Sequence, residues 1–274
     1  MLVFELLRKV KRKILSARPR TYSFMGYEIP VELMLMTGGG PDTFDAISKQ
    51  HIANLQRWVG LKEDHTVLEV GCGIGRDAIP LTGILSRGSY VGIDIIGRSI
   101  DWCAKNISPK HPNFQFRHFD VSDHLHNEGG LIRTSDIRLP MADHSVDRII
   151  LFSVFTHMYR TDIVHYLREF RRVLKPDGLV VCTTFIYNDE ILQKARATNL
   201  TPYDLRFEYE IEPGCRINDE SHPLGAVAYT REAWDGMVER SGMRYAKPIV
   251  NGGWSGLYSN TEDGQDVAIL APSI

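Results

Sequence analysis

The chain has 274 residues, 43% of them hydrophobic, and a formal net charge of −2. That is length enough for one large domain carrying a cap, and apolar enough to bury a sizeable core. The charge supplies no global attraction to polyanions, so no nucleic acid is expected as a partner unless a local basic groove provides one. Cys72, Cys103, Cys182 and Cys215 show no C-x-x-C spacing; they read as reduced, buried thiols of a cytoplasmic protein, and argue against a disulfide frame or a zinc site.

Residues 1–20 place Leu2, Val3, Leu6, Leu7, Val10, Ile14 and Leu15 near helical spacing, with Arg8, Lys9, Lys11, Arg12, Lys13, Arg18 and Arg20 beside them. The positive charge follows the apolar residues and no small-residue cleavage site appears, unlike a secretory signal. The segment is too short and too charged to span a bilayer. Two readings stay open: a helix packed on the core or on a second copy in a homodimer, which is preferred, and a peripheral helix on an anionic membrane. Thr37 to Asp42 (T-G-G-G-P-D) reads as a loop, leading into a helix from about Thr43 to Val59.

The apolar run Val67-Leu68-Glu69-Val70 reads as a buried strand, and Gly71-Cys72-Gly73-Ile74-Gly75-Arg76 as a tight turn into a helix. Main-chain N–H groups at such a turn can be approached closely by a ligand. Ser89 to Asp94 reads as a second strand ending in an acid; an acid about twenty residues past such a turn can accept hydrogen bonds from both hydroxyls of a ribose. Phe114 to Phe119 forms a third strand, closing at Asp120-Val121. A loop, Ser122 to Arg138, carries His124, His126, Glu128, Gly129 and Gly130. A fourth strand follows at Val146 to Phe152, then a helix, then a turn at Lys175-Pro176-Asp177-Gly178 into a fifth strand, Leu179 to Phe185. The polar, aromatic stretch Tyr187 to Tyr229 is long enough to be a lid or binding element. A helix from about Arg231 to Arg240 precedes two strands, near Tyr245–Val250 and Gln265–Leu270.

Dinucleotide enzymes use G-x-G-x-x-G; here Arg76 stands at the third glycine's place and the glycine comes one residue early. The pattern E-x-G-x-G-x-G instead resembles motif I of the class I S-adenosylmethionine (SAM) methyltransferases. The acid of the second strand, Asp143 to Phe152, and the segment Arg171-Arg172-Val173-Leu174-Lys175-Pro176-Asp177-Gly178 agree with that family in order and spacing. The resemblance implies an α/β, Rossmann-like, seven-stranded, mostly parallel sheet with an antiparallel last strand and helices on both faces. N-terminal elements (1–64, with Phe44 and Ile47 over the cofactor) would precede a methyltransferase domain (65–274) holding a lid at 187–229. It places Glu69 near the methionine ammonium, often indirectly. It puts SAM against Glu69, Gly71, Cys72, Gly73, Gly75, Arg76, Asp94, Ile95, Asp120, Val121 and Ser153.

Ligands of open α/β sheets sit outside the carboxyl ends of the strands, so Ser153-Val154-Phe155-Thr156-His157-Met158 should carry the chemistry. The phrase, with Trp254-Ser255-Gly256 and Gln265-Asp266, resembles a bacterial subset acting on hydroxyls of small molecules, sugars or glycans. His157 is the candidate general base, because an imidazole titrates near neutrality; packing at a helix start is the other reading. Tyr203, Tyr209, His222, Trp254 and Tyr258 are acceptor candidates. His222 with Asp219 and Glu220 raises Mg²⁺ as a second cofactor, with a solvated loop as the plainer reading and no ligand set assigned. The leading expectation is an O-methyltransferase of a small-molecule or glycan acceptor. The alternatives are an N-methyltransferase of a small amine and a SAM-binding regulatory protein without transferase activity.

Overall fold

The computed structural model describes residues 21–121, 127 and 129–273. The basic segment 1–20, His124, His126 and Glu128 lie outside the described residues. In chain order the elements begin with β1 (Thr21–Phe24), β2 (Tyr27–Pro30), α1 (Val31–Met34), α2 (Phe44–Val59), β3 (Thr66–Val70), α3 (Ala78–Leu81) and β4 (Ser89–Asp94). Next come α4 (Gly97–Asn106), β5 (Phe114–His118), β6 (Val146–Leu151), α5 (Arg160–Val173), β7 (Leu174–Thr184), β8 (Ile186–Tyr187) and α6 (Asp189–Thr198). The chain closes with β9 (Tyr209–Glu212), β10 (Cys215–Ile217), β11 (Val227–Thr230), α7 (Arg231–Arg240), β12 (Met243–Tyr245) and β13 (Asp266–Pro272).

Strands covered on both faces read as mostly apolar runs, and such runs, with Glu69 inside β3 and Asp147-Arg148 inside β6, make the central sheet. Its order is β12-β13-β7-β6-β3-β4-β5. The block from β7 to β5 is parallel, and β13 runs antiparallel between β7 and β12. Neighbouring residues of one strand feed opposite layers. Leu68, Ile149 and Val180 face α5 and α7, where Leu167, Phe170, Trp234 and Met237 meet them. Val67, Ile150 and Val181 face the other layer, with Leu55 and Trp58 of α2, Ile79 of α3 and Cys103 of α4. α5 shows why a helix forms there: Ile163, Tyr166, Leu167, Phe170 and Val173 recur at helical spacing and are buried, while arginines occupy its outer side. Each such side chain stabilises the fold by about 1.5–3 kcal/mol. All four cysteines are buried and free.

Two segments differ from the sequence expectation. Lys175 to Gly178 is no free turn but part of β7, whose pairing with β6 jumps from Val146 opposite Leu174 to Arg148 opposite Leu179. The extra residues are absorbed as an irregularity in the ladder. The stretch 187–229 is likewise no bare loop. It holds α6 and most of a second sheet, ordered β8-β11-β10-β9. Phe185, Tyr187, Leu192, Phe207, Ala228 and the distant Trp254 form its separate apolar cluster. Strand order in the main sheet reverses at β3 and β6, and the crevice outside their carboxyl ends is where an open α/β sheet takes a ligand.

Candidate active site

The turn after β3 has φ +78° at Gly71, +51° at Gly73 and +79° at Gly75. A side chain in that left-handed region costs about 1–2 kcal/mol per residue. Space forbids one as well: a Cβ on Gly71 would stand 2.5 Å from Val154 Cγ2, and one on Gly73 would stand 2.2 Å from Thr37 Cγ2. The turn is therefore held between the segment after β6 and the short helical turn Leu35–Thr37. Phe44, expected over the cofactor, is instead buried against Phe24, ring centroids 5.1 Å apart; Thr37 is what covers the glycines.

Asp94 braces this turn. Its buried carboxylate accepts from Gly73 N at 2.7 Å and from Ile96 N at 2.8 Å, while the amides of Gly71 and Cys72 both donate to Ile93 O. One acid thus fixes the glycine turn and the end of β4 together. Cys72 is buried beside it, and burial raises its thiol pKa well above the ordinary value. Ile95 is half-buried and its carbonyl accepts from His118 Nε2. Asp120 accepts from Asn127 Nδ2 at 2.9 Å, and Val121 is buried.

Glu69 is not an open anion. It is buried, accepts a short hydrogen bond from the Tyr90 hydroxyl, and has its pKa pushed up to about 8 by burial and by the nearby charge of Asp77. Beyond Gly75, Arg76 Nη1 donates to Thr37 O at 3.1 Å, and Asp77 Oδ2 lies 2.7 Å from His51 Nδ1 of α2.

At the carboxyl end of β6, Ser153 has φ +58°, a conformation that a non-glycine residue holds only when its surroundings enforce it. Its N–H donates to Thr183 Oγ1 at 2.7 Å, and its Oγ accepts from Gln265 Nε2 at 2.9 Å. His157 closes the next short turn, and its Nδ1 lies 2.8 Å from Leu224 O. A carbonyl only accepts, so Nδ1 carries the hydrogen, and in the neutral ring Nε2 is the proton-accepting nitrogen. The Tyr229 hydroxyl donates to Met158 O at 2.9 Å. The second sheet's segment is therefore fastened to the post-β6 segment at two points.

The acceptor candidates separate. Trp254 is buried; its indole N–H donates to Asp266 Oδ2 at 2.9 Å, and Phe185 and Phe207 pack edge-on against its ring. Tyr258 lines a cavity of about 240 Å³ with Tyr187, Asn188, Arg231, Asn251 and Asp266. Tyr203 is 67% exposed and Tyr209 sits exposed on the outer strand β9. His222 makes local contacts with Ser221 and Asp219. Among the described residues no group of three or more His, Cys, Asp or Glu side chains is placed to hold a metal ion. No helix among them is long and apolar enough to cross a membrane. Sequence reasoning missed Thr37, His51, Asp77 and Tyr90. Each meets the site through a partner at least 21 residues away in sequence, and no local pattern announces such a pairing.

Residues 68–182 match the model of a methyltransferase domain. A sterol 24-C-methyltransferase of Gibberella zeae is 26% identical over 194 residues, 68% of this chain and 44% of the relative. A tRNA N(3)-cytidine methyltransferase of Danio rerio is 27% identical over 128 residues, 44% of this chain and 32% of the relative. The matches thus span less than half of these curated relatives. The crystal structure of a SAM-dependent methyltransferase from Aquifex aeolicus superposes with a TM-score of 0.51 at 16% identity, covering 89% of this chain and 97% of that one. The domain match over residues 68–182, the sheet order and the glycine turn at its switch point agree in supporting a class I SAM-dependent methyltransferase fold.

Proposed function

We propose that the chain is a SAM-dependent methyltransferase that methylates a hydroxyl of a polar acceptor, such as a sugar, oligosaccharide or secondary metabolite. Gly71, Gly73, Gly75 and Asp94 would hold the nucleoside end, and the left-handed glycine turn braced by Asp94 supports that fit. Bound there, SAM supplies an electrophilic methyl group. An alcohol is a poor nucleophile until it loses its proton, and general-base catalysis typically contributes about 10²–10⁴-fold. His157 takes that proton at Nε2. The observation that carries the reading is the Nδ1–Leu224 contact, which sets the tautomer needed at the carboxyl end of β6. Alignment of the reacting groups supplies the larger share, up to about 7–11 kcal/mol in favourable cases. Residues 187–229 form the acceptor wall, supported by their two bonds to the post-β6 segment. Their amides should gain hydrogen-exchange protection when acceptor binds.

The tRNA relative favours a second reading, methylation of nitrogen. An amine can shed its proton before or after attack, so a base matters less. Methyl-labelled SAM, incubated with fractionated hydroxylated and amine acceptors, separates the two by the bond found in the product. On the O-methyl reading His157→Ala lowers turnover by about a hundredfold or more and leaves S-adenosylhomocysteine binding intact. Labelled N–CH₃ product, with full activity in His157→Ala, would sink it.

A further inference from the structure

Besides Asp94, two buried acids, Glu69 and Asp77, flank the glycine turn, with the half-buried Asp263 near His51 and Arg76, and of these three Asp77 is built to stay charged. Glu69 holds the Tyr90 hydroxyl and is pushed up to about 8. Asp263 is raised by burial, although backbone hydrogen bonds and the charges of His51 and Arg76 oppose it. At Asp77 burial also acts upward, but the charge and hydrogen bond of His51 and the charge of Arg76 outweigh it and hold the carboxyl below its usual range. His51 is itself fixed: its ring lies on Phe152, centroids 3.6 Å apart and planes 11° from parallel. Ser48, on the same helix, donates to Arg76 O at 2.9 Å.

His51 engages only one oxygen of Asp77. The other, Oδ1, is buried without a hydrogen-bond partner, and so is Arg76 Nε, 3.8 Å away. Buried polar atoms are almost always bonded, and a pair left over calls for a ligand or water from outside the chain. The Arg76 guanidinium reaches the carbonyl of Thr37, whose methyl stands over Gly73. The pair therefore lies at the end of the glycine cradle. A carboxylate oxygen beside a guanidinium N–H is the complement of an α-amino acid, ammonium to the first and carboxylate to the second.

We propose that Arg76 and Asp77 bind the amino-acid end of the donor, with His51 as the positioning residue that turns Asp77 toward it. This rests on the reading of the crevice as a SAM site, and it moves the ammonium partner from Glu69 to Asp77.

Calorimetry with two probes tests it: S-adenosylhomocysteine, and 5′-methylthioadenosine, which shares the nucleoside but lacks the amino-acid end. Arg76→Gln and Asp77→Asn should each weaken S-adenosylhomocysteine binding at least about tenfold, equivalent to about 1.4 kcal/mol, and leave methylthioadenosine binding unchanged. His51→Gln should reduce the same preference in part. A purely structural role would weaken both ligands alike, so the ratio of the two affinities decides. Should Asp77→Asn fail to fold, Arg76→Gln decides alone. An unchanged ratio in the folded variants overturns the proposal while leaving the donor site standing. Wild-type protein that binds neither probe removes the donor site, and the proposal with it.

Discussion

Asp94→Ala perturbs the account where the most depends on one side chain. The carboxylate accepts from Gly73 N at 2.7 Å and Ile96 N at 2.8 Å, and it is buried. Hydrogen bonds to a charged acceptor are worth about 1.5–3 kcal/mol each. Removing both, with the two amides left in place, should cost the ligand-free protein about 3–6 kcal/mol. Asp94→Asn should cost about half as much, because its amide oxygen still serves one N–H while its NH₂ faces the other. Urea unfolding measures this as a shift in midpoint at constant slope. Calorimetry on whatever fraction folds should show S-adenosylhomocysteine binding weakened by about tenfold or more. Stability within about 0.5 kcal/mol of wild type, the range of an ordinary surface substitution, would refute the bracing role. Unchanged affinity would take Asp94 out of the site.

Glu69→Gln should flatten part of the pH dependence of stability. A carboxyl whose folded pKa is raised stabilises the fold fully below its unfolded value of about 4.3, and that contribution is lost as pH rises toward about 8. The difference between wild type and variant, measured by denaturant unfolding from pH 5 to 9, should therefore widen with pH in the variant's favour; parallel curves would refute it. Asp77 has the opposite sign: its folded pKa is lowered, so its contribution is present above the unfolded value and is lost as pH falls through the folded one. Gly73→Ala should destabilise by about 2–5 kcal/mol, from the left-handed backbone and the overlap with the Thr37 methyl. Thr37→Ser removes that methyl and keeps the hydroxyl bond to Met34 O, so the double variant should recover about 1–3 kcal/mol. Strict additivity in thermal unfolding would mean that the Leu35–Thr37 turn does not cover the glycines.

The parallel core was legible because burial on both faces leaves short, mostly apolar runs, interrupted at Glu69 in β3 and at Asp147-Arg148 in β6. Val67 to Val70, Ser89 to Asp94 and Val146 to Leu151 stand within a residue of their expected bounds. The helix Arg231–Arg240 was legible from its spacing. The hairpin of β1 and β2 was not read: its turn, Met25-Gly26, puts a methionine at φ +48° and offers no Asn-Gly or Asp-Gly signal. The second sheet stayed hidden because its core residues are scattered from Phe185 to Ala228, and Trp254, which closes that core, lies far downstream. The glycine turn was visible as a motif, but its supports were not. Tyr90 on Glu69, His51 on Asp77 and Gln265 on Ser153 are tertiary pairings between residues 21, 26 and 112 positions apart.

A crystal structure with S-adenosylhomocysteine tests the central claim most directly. The nucleoside should lie along Gly71 to Gly75 with its ribose hydroxyls toward Asp94 and its sulfur toward the carboxyl end of β6. Density for the ligand elsewhere, or a crevice left empty at saturating concentration, would contradict the account.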